Sequence, residues 1–253
     1  MWVALAVLTL LVHLVVHEGA HAMALRRLGG DIREAGLGLP FPPRLRTTVQ
    51  VRGRGRAEPS RPLVLSLSPW LIAAYVEPDQ HAQKLIEQAR YRDRAWFAGA
   101  GVVANLLASA ALLVVLLGSR GAYLPAAAAA AAGVLIWSGR KMVTAAIPVL
   151  GVAALVFVVA GLVGSAGQQN GPVGLFLFLA QTDGPTSLLI MAIAVGLSLA
   201  VLNCIPIFPF DGGRVMDAAL HDLFGDTAAS RFRAVTGAFA FSLILYTIVS
   251  DWL

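Results

Sequence analysis

Six segments of the chain are apolar and long enough to cross a lipid bilayer. A membrane-spanning helix needs about 20 predominantly apolar residues, and in hydrocarbon its backbone polar groups must be satisfied within the segment. Only 13% of the residues are charged, against about 25% in soluble domains. We therefore expect a single membrane-embedded domain over residues 1–253 with an all-α polytopic fold. Its spans are expected at about 2–24, 95–118, 122–138, 142–163, 187–209 and 234–251.

The basic residues predict how these spans are oriented. Six crossings place both termini on one side and every lysine and arginine except Arg120 on the other. Because loops rich in Lys and Arg tend to stay in the cytoplasm, we expect both termini outside, in a prokaryotic cell membrane. The net charge of +5 is then explained by topology and lipid headgroups, and no nucleic-acid partner is expected.

Residues 31–77 carry strand patterns between the first two spans. Residues 63–76 are apolar but too short to cross a bilayer, and Pro69 interrupts them. Residues 47–51 and 63–68 alternate as half-buried strands do, and glycines lie between them. We expect a small membrane-associated β-hairpin or sheet here, followed by an interfacial helix at about 78–94.

Near the end of the first span, residues 17–21 read His-Glu-Gly-Ala-His, an H-E-x-x-H motif. The spacing of four places His17 and His21 on one helical face, so that both rings can reach one Zn²⁺. Glu18 is turned away from that face and can accept a proton from a water at the metal. His13, one turn earlier, is either a further ligand or a histidine packed among helices.

Catalytic zinc usually has three protein ligands, and Asp211 is the best third candidate. The expected topology brings His17, His21 and Asp211 to one depth at the same membrane boundary. The alternative for Asp211 is a helix cap for the segment that starts at Gly212, a common role of aspartate.

These motifs together resemble the site-2 protease family of intramembrane metalloproteases. That family pairs H-E-x-x-H with an N-x-x-P…D-G motif, which residues 203–213 match from Asn203 to Gly213. Residues 101–105 are similar to its G-x-x-x-N motif, and residues 171–174 to its G-P-V-G segment. We expect the compact form of the family, without PDZ or CBS domains.

The resemblance implies one zinc ion per chain, with His17, His21 and Asp211 as ligands and Glu18 as the catalytic base. It also suggests substrate contacts, for which the candidates are Asn203, Pro206, Leu65, Leu67 and Asn105. Asn203 has the alternative of bonding carbonyls freed at the helix end. For Gly101 and Asn105 the alternative is close helix packing through small residues.

The function that follows is hydrolysis of peptide bonds in or near transmembrane segments of membrane proteins, at a site toward the cytoplasm. An edge strand of residues 31–77 would hold the substrate extended, unless this region is an ordinary hairpin. Two other classes remain open: a metal transporter, since intramembrane His and Asp can line an ion path, and a scaffold that binds substrates without cutting them. The lipid bilayer and membrane-protein substrates are the expected partners.

Overall fold

The computed structural model describes residues 2–38, 42–51, 61–69, 73–139, 144, 146–153 and 185–250. These residues form helices and one small sheet. The helices are α1 (Trp2–Leu28), α2 (Gln80–Gln88), α3 (Tyr91–Ser119), α4 (Tyr123–Ser138), α5 (Pro185–Cys204), α6 (Asp211–Phe224) and α7 (Asp226–Ser250), and residues 146–153 are also helical. The strands are β1 (Ile32–Leu37), β2 (Leu45–Val51), β3 (Arg61–Leu67) and β4 (Ala74–Pro78).

Three helices of the described part are long and apolar enough to cross a membrane: Val7–Leu28, Tyr91–Ser119 and Thr186–Cys204. α4 is apolar but has only 16 residues. The expected span at 142–163 runs into residues 154–184, which lie outside the described residues, as does the G-P-V-G segment. The described residues thus give three of the six expected spans as candidates.

α3 is the central helix of the bundle and packs against α1, α4, α5 and α6. Its small residues Ala95 and Ala98 and its Val102 form a core with residues of the neighbouring helices, namely Ile147, Ala200, Cys204 and Val215. Alanines let helix axes approach closely, which favours tight packing in an apolar environment. The bundle therefore holds the ends of α1, α5 and α6 against one side of α3.

The expected small sheet follows the first helix and has four strands in the order β2-β3-β1-β4. β2 pairs antiparallel with β3, β3 parallel with β1, and β1 antiparallel with β4. The strand patterns at 47–51 and 63–68 correspond to β2 and β3. β3 is therefore an inner strand, and β2 and β4 are the edges of this sheet.

A buried carboxylate ties the sheet together on one face. Glu34 of β1 accepts hydrogen bonds from the Tyr75 hydroxyl at 2.5 Å and from the Arg46 guanidinium at 2.9 Å, and Arg44 lies at 3.4 Å. Burial alone would raise the pKa of this carboxyl, but the Tyr75 hydrogen bond and the two arginines outweigh it and lower the pKa. These contacts link β1, β2 and β4 across the sheet.

Two further segments position the ends of the helices. Asp79 caps α2 by accepting a hydrogen bond from the Ala82 amide at 2.7 Å. α2 ends at Gln88, and α3 begins at Tyr91. The expected interfacial helix at 78–94 is therefore divided between α2 and the first turn of α3. α6 is held from both sides, because Asp222 pairs with Arg94 of α3 and Asp217 with Arg233 of α7 at 2.8 Å.

Candidate metal centre

The three histidines of α1 lie four residues apart and are all buried: His13, His17 and His21. Their common face is turned to α3, as the contacts of two of them show. The His21 Nδ1 atom lies 2.7 Å from the carbonyl oxygen of Phe97, and the His17 Nδ1 atom lies 3.1 Å from the Asn105 amide. The helical spacing of the motif therefore produces a row of imidazoles inside the bundle.

Asp211, from the C-terminal part of the chain, lies beside His17 and His21. It is the first residue of α6, whose N-cap is Phe210, and no side-chain hydrogen bond caps this helix. The segment between α5 and α6 turns so tightly that a Cβ atom at Gly212 would collide with the Cys204 carbonyl. Glycine is therefore required for the turn that directs Asp211 into the bundle, and the carboxylate faces the histidines instead of capping α6.

Three atoms converge at this point: His17 Nε2, His21 Nε2 and Asp211 Oδ2. The two nitrogens are 3.2 Å apart, and each lies 3.2 Å from the carboxylate oxygen. Zinc binds such atoms at about 2.0–2.2 Å in a tetrahedral arrangement, which separates its ligands by about 3.3 Å. The triangle of ligand atoms therefore has the size that one zinc ion requires.

Unsatisfied polar atoms also indicate a cation at this position. Asp211 Oδ2 is buried, and the polar atoms beside it are the Nε2 atoms of His17 and His21. Against two neutral rings this carboxylate charge would be uncompensated, which is costly unless a cation lies between them. Because a carbonyl oxygen can only accept, His21 must carry a proton on Nδ1 to bond Phe97, and in the neutral ring this leaves the lone pair on Nε2. The buried oxygen and this lone pair point at the same centre, and the residues fit a zinc ion.

The His17 ring is seated by two residues of α3. Gly101 lies so close that a Cβ atom there would overlap the imidazole. The Asn105 amide lies at Nδ1 with its nitrogen 3.1 Å away, while its oxygen is buried without a partner among the described residues. Turning this amide by 180° presents the oxygen to the ring, so that Nδ1 donates and Nε2 keeps its lone pair for a metal.

Glu18 opens onto a groove beside the centre. The groove has a volume of about 590 Å³ and separates α1 from the sheet. Its walls are almost wholly apolar and include Val15, Leu37, Leu45, Leu65, Leu67 and Val76. Glu18 is thus the carboxylate that lies between the histidine pair and a space large enough for a peptide segment.

The remaining sequence-predicted residues lie in three different places. Leu65 and Leu67 line the groove. The Asn203 amide nitrogen donates to the Leu199 carbonyl of its own helix at 2.9 Å, and Pro206 follows the end of α5. Asn105 is fully buried behind His17 and does not line the groove, so its position indicates a contact with the ligand ring and not with a substrate.

Sequence reasoning missed three contributors to the centre and the walls of its groove. The Phe97 carbonyl orients His21, but it is a backbone group and leaves no signal in the sequence. The backbones of Tyr75 and Arg46 border the groove, while their side chains bind Glu34 on the opposite face of the sheet. The Tyr75 and Gly36 backbones face each other in the paired strands β1 and β4, and this pairing could not be read from either strand alone.

Comparison with known proteins agrees with this geometry. Residues 5–247 match the family model described as peptidase family M50. No curated protein and no solved structure matches the chain. The family match covers nearly the whole chain, so the resemblance drawn from the motifs is confirmed: the chain belongs to peptidase family M50, the site-2 protease family of zinc-dependent membrane metalloproteases.

Proposed function

We propose that this chain is a zinc metalloendopeptidase that hydrolyses peptide bonds in or beside transmembrane segments of other membrane proteins. One observation carries the proposal. Three ligand atoms lie 3.2 Å from one another, and Glu18, next to His17 in the chain, lines an apolar groove. A transporter site has no need of a carboxylate placed between the ligands and a peptide-sized space.

The metal ligands and Glu18 have different proposed roles in the reaction. His17, His21 and Asp211 would hold the zinc, which when bound polarises a carbonyl and lowers the pKa of water. Glu18 adjoins His17 and is turned about 100° from it around the helix axis. Its carboxylate takes a proton from the attacking water and delivers it to the nitrogen of the leaving amine.

The sheet would hold the substrate in an extended form. Helical carbonyls are engaged in hydrogen bonds, so a transmembrane segment must unwind before it is cut. β4 is the edge strand in contact with α1, and its residues 74–76 line the groove. We propose that the substrate adds to this edge, while Leu65 and Leu67 of the inner strand β3 contact its side chains.

Asn203 and Pro206 complete the proposed substrate site. They lie at the end of α5, a few residues before the Asp211 ligand. The Asn203 amide nitrogen donates to the Leu199 carbonyl, so the Asn203 amide oxygen is the atom proposed to accept from a substrate backbone N–H.

The proposed partners are the lipid bilayer and membrane-protein substrates, and the proposed site lies toward the cytoplasm.

Glu18→Gln tests the proposal. The variant should keep one zinc ion per chain, because Glu18 is not a ligand, and should lose cleavage, because glutamine cannot accept the proton. Zinc is measured by elemental analysis of the purified chain. Cleavage is measured by quantitative proteomics of membrane fragments in cells that express either form. Glu87→Gln, on the exposed side of α2, is the matched control and should keep both properties.

The outcomes separate the function classes. Cleavage that persists in Glu18→Gln would show that the proposed mechanism is wrong. A wild-type chain that binds zinc but leaves the same fragments as Glu18→Gln would favour a transporter. A wild-type chain without zinc would favour a scaffold.

A further inference from the structure

A second groove lies away from the metal centre on the flank of α3. Its upper part, toward the N-terminus of α3, has a volume of about 360 Å³ and lies between α1 and α3. Its lower part, toward the C-terminus of α3, has a volume of about 490 Å³ and lies between α3 and α4. Leu107 and Trp137 line both parts, so the two form one continuous surface, which we call the α3 flank groove.

The α3 flank groove follows one stripe of the helix. On α3 it is lined by residues three or four apart, which share a face; these include Trp96, Ala100, Val103, Leu107, Ala110 and Val114. At 1.5 Å per residue the stripe is about 27 Å long, whereas one leaflet of bilayer hydrocarbon is about 15 Å thick. The groove is therefore long enough for a whole acyl chain.

Small side chains create the groove. Ala20 and Ala24 of α1 line the upper part, and Ala129 and Gly133 of α4 line the lower part. The alanines and the glycine leave room beside α3 for a thin apolar ligand such as a hydrocarbon chain.

One cation reaches into this apolar surface. The Arg27 guanidinium lies 5.9 Å from the centre of the Trp137 ring, and Arg27 is the charged residue that lines the groove. Arg27 is exposed and forms no ion pair with a carboxylate of the described chain. A cation beside lipid is costly unless it finds an anion, and phospholipid phosphate is the anion at this depth. Trp96 and Trp137 lie beside it, as tryptophans do at membrane interfaces.

We propose that the α3 flank groove binds one anionic phospholipid, with its phosphate at Arg27 and an acyl chain along α3 past Trp137. The site depends on the chain being embedded in a membrane, not on its protease activity. The upper part lies on α1, the helix that carries the histidine pair, so a bound lipid would support that helix from the side away from Glu18.

Native mass spectrometry of the full chain tests this proposal. The probes are dioleoyl phosphatidylglycerol and dioleoyl phosphatidylcholine, which share their chains and differ in net charge. We expect one phosphatidylglycerol per chain, retained in preference to phosphatidylcholine. Arg27→Gln should weaken phosphatidylglycerol binding at least about fivefold, the effect of one basic residue near an anionic surface. Arg26→Gln, at the neighbouring exposed position, should leave it within about twofold.

A second pair of variants tests the acyl-chain part without changing charge. Ala111 is exposed and lines the lower groove, whereas Ala132 is exposed on α4 outside it. Ala111→Leu should lower the retention of both lipids, and Ala132→Leu should not. Equal weakening by the two arginine variants, equal retention of the two lipids by the wild type, or normal binding in Ala111→Leu would each overturn the proposal.

Discussion

The side-chain amide of Asn105 lies 3.1 Å from Nδ1 of His17, although the two residues are 88 positions apart in the chain. The contact is fully buried between α3 and α1. A hydrogen bond to one nitrogen of an imidazole fixes the orientation of the whole ring. The contact of Asn105 with Nδ1 therefore determines where Nε2 of His17 points. Asn105 is thus a positioning residue for a proposed metal ligand.

Loss of this contact should weaken metal binding without abolishing it. We expect Asn105→Ala to lower zinc affinity by about 10–100-fold, the range found for partners of ligating histidines. Competition with a chelator measures the affinity in the purified chain. Asn203→Ala removes the amide that bonds Leu199 and should leave zinc affinity unchanged. Equal effects of the two variants would contradict the positioning role.

Gly101 should tolerate no side chain, because a Cβ atom would overlap the His17 ring. We expect Gly101→Ala to displace the ring, to destabilise the fold by about 1–3 kcal/mol as overpacking does, and to reduce bound zinc. Gly118 of the same helix has no atom within 4 Å of an added Cβ, so Gly118→Ala should keep zinc and be neutral or slightly stabilising. Thermal unfolding and zinc content of both variants check this.

Asp211 should be required for zinc, whereas the other aspartates of α6 should not. Asp211→Ala leaves two nitrogen ligands, and we expect zinc affinity to fall by more than about 100-fold. Asp217 pairs with Arg233 on the surface, and such a pair contributes about 0–1 kcal/mol. Asp217→Ala should therefore retain one zinc per chain. A stoichiometric zinc content in Asp211→Ala would exclude the proposed ligand set.

The two faces of β3 should differ in their effect on cleavage. Leu65 lines the groove, whereas Val64 points to the opposite face of the sheet and is paired with Glu34. We expect Leu65→Ala to raise KM for a membrane substrate with zinc content unchanged, because it removes apolar contact area. Val64→Ala should leave KM unchanged. The proposed groove would be wrong if Val64→Ala raised KM and Leu65→Ala did not.

The sheet should lose stability in acid through Glu34. The Tyr75 hydrogen bond and the arginine charges lower its pKa below the ordinary value of 4.5 against the opposing effect of burial. The contribution of Glu34 is complete above about pH 4.5 and is lost as the pH falls through the folded pKa. Thermal unfolding between pH 6 and pH 3 measures this loss. Glu34→Gln should be less stable at pH 6 and lose less in acid, whereas Glu87→Gln should behave as the wild type.

The spacing of residues along α1 was enough to predict the residues of the metal centre that lie on this one helix. His17, Glu18 and His21 follow from spacing alone, because 3.6 residues per turn place positions four apart on one face. The apolar runs predicted α1, α3 and α5, and alternation predicted β2 and β3. Each of these features depends on residues close in the chain, whose relative positions are set by backbone geometry.

The tertiary structure decided which faces meet. Asp211 lies about 190 residues from His21, and both a helix cap and a ligand suit an aspartate in its position; packing of α6 against α3 directs it to the histidines. The pairing of β1 with β3 and β4, the contact of Asn105 with His17, and the approach of Arg27 to Trp137 arise in the same way. Periodicity tells which side chains share a face of one element, but contacts between elements depend on how the whole bundle packs.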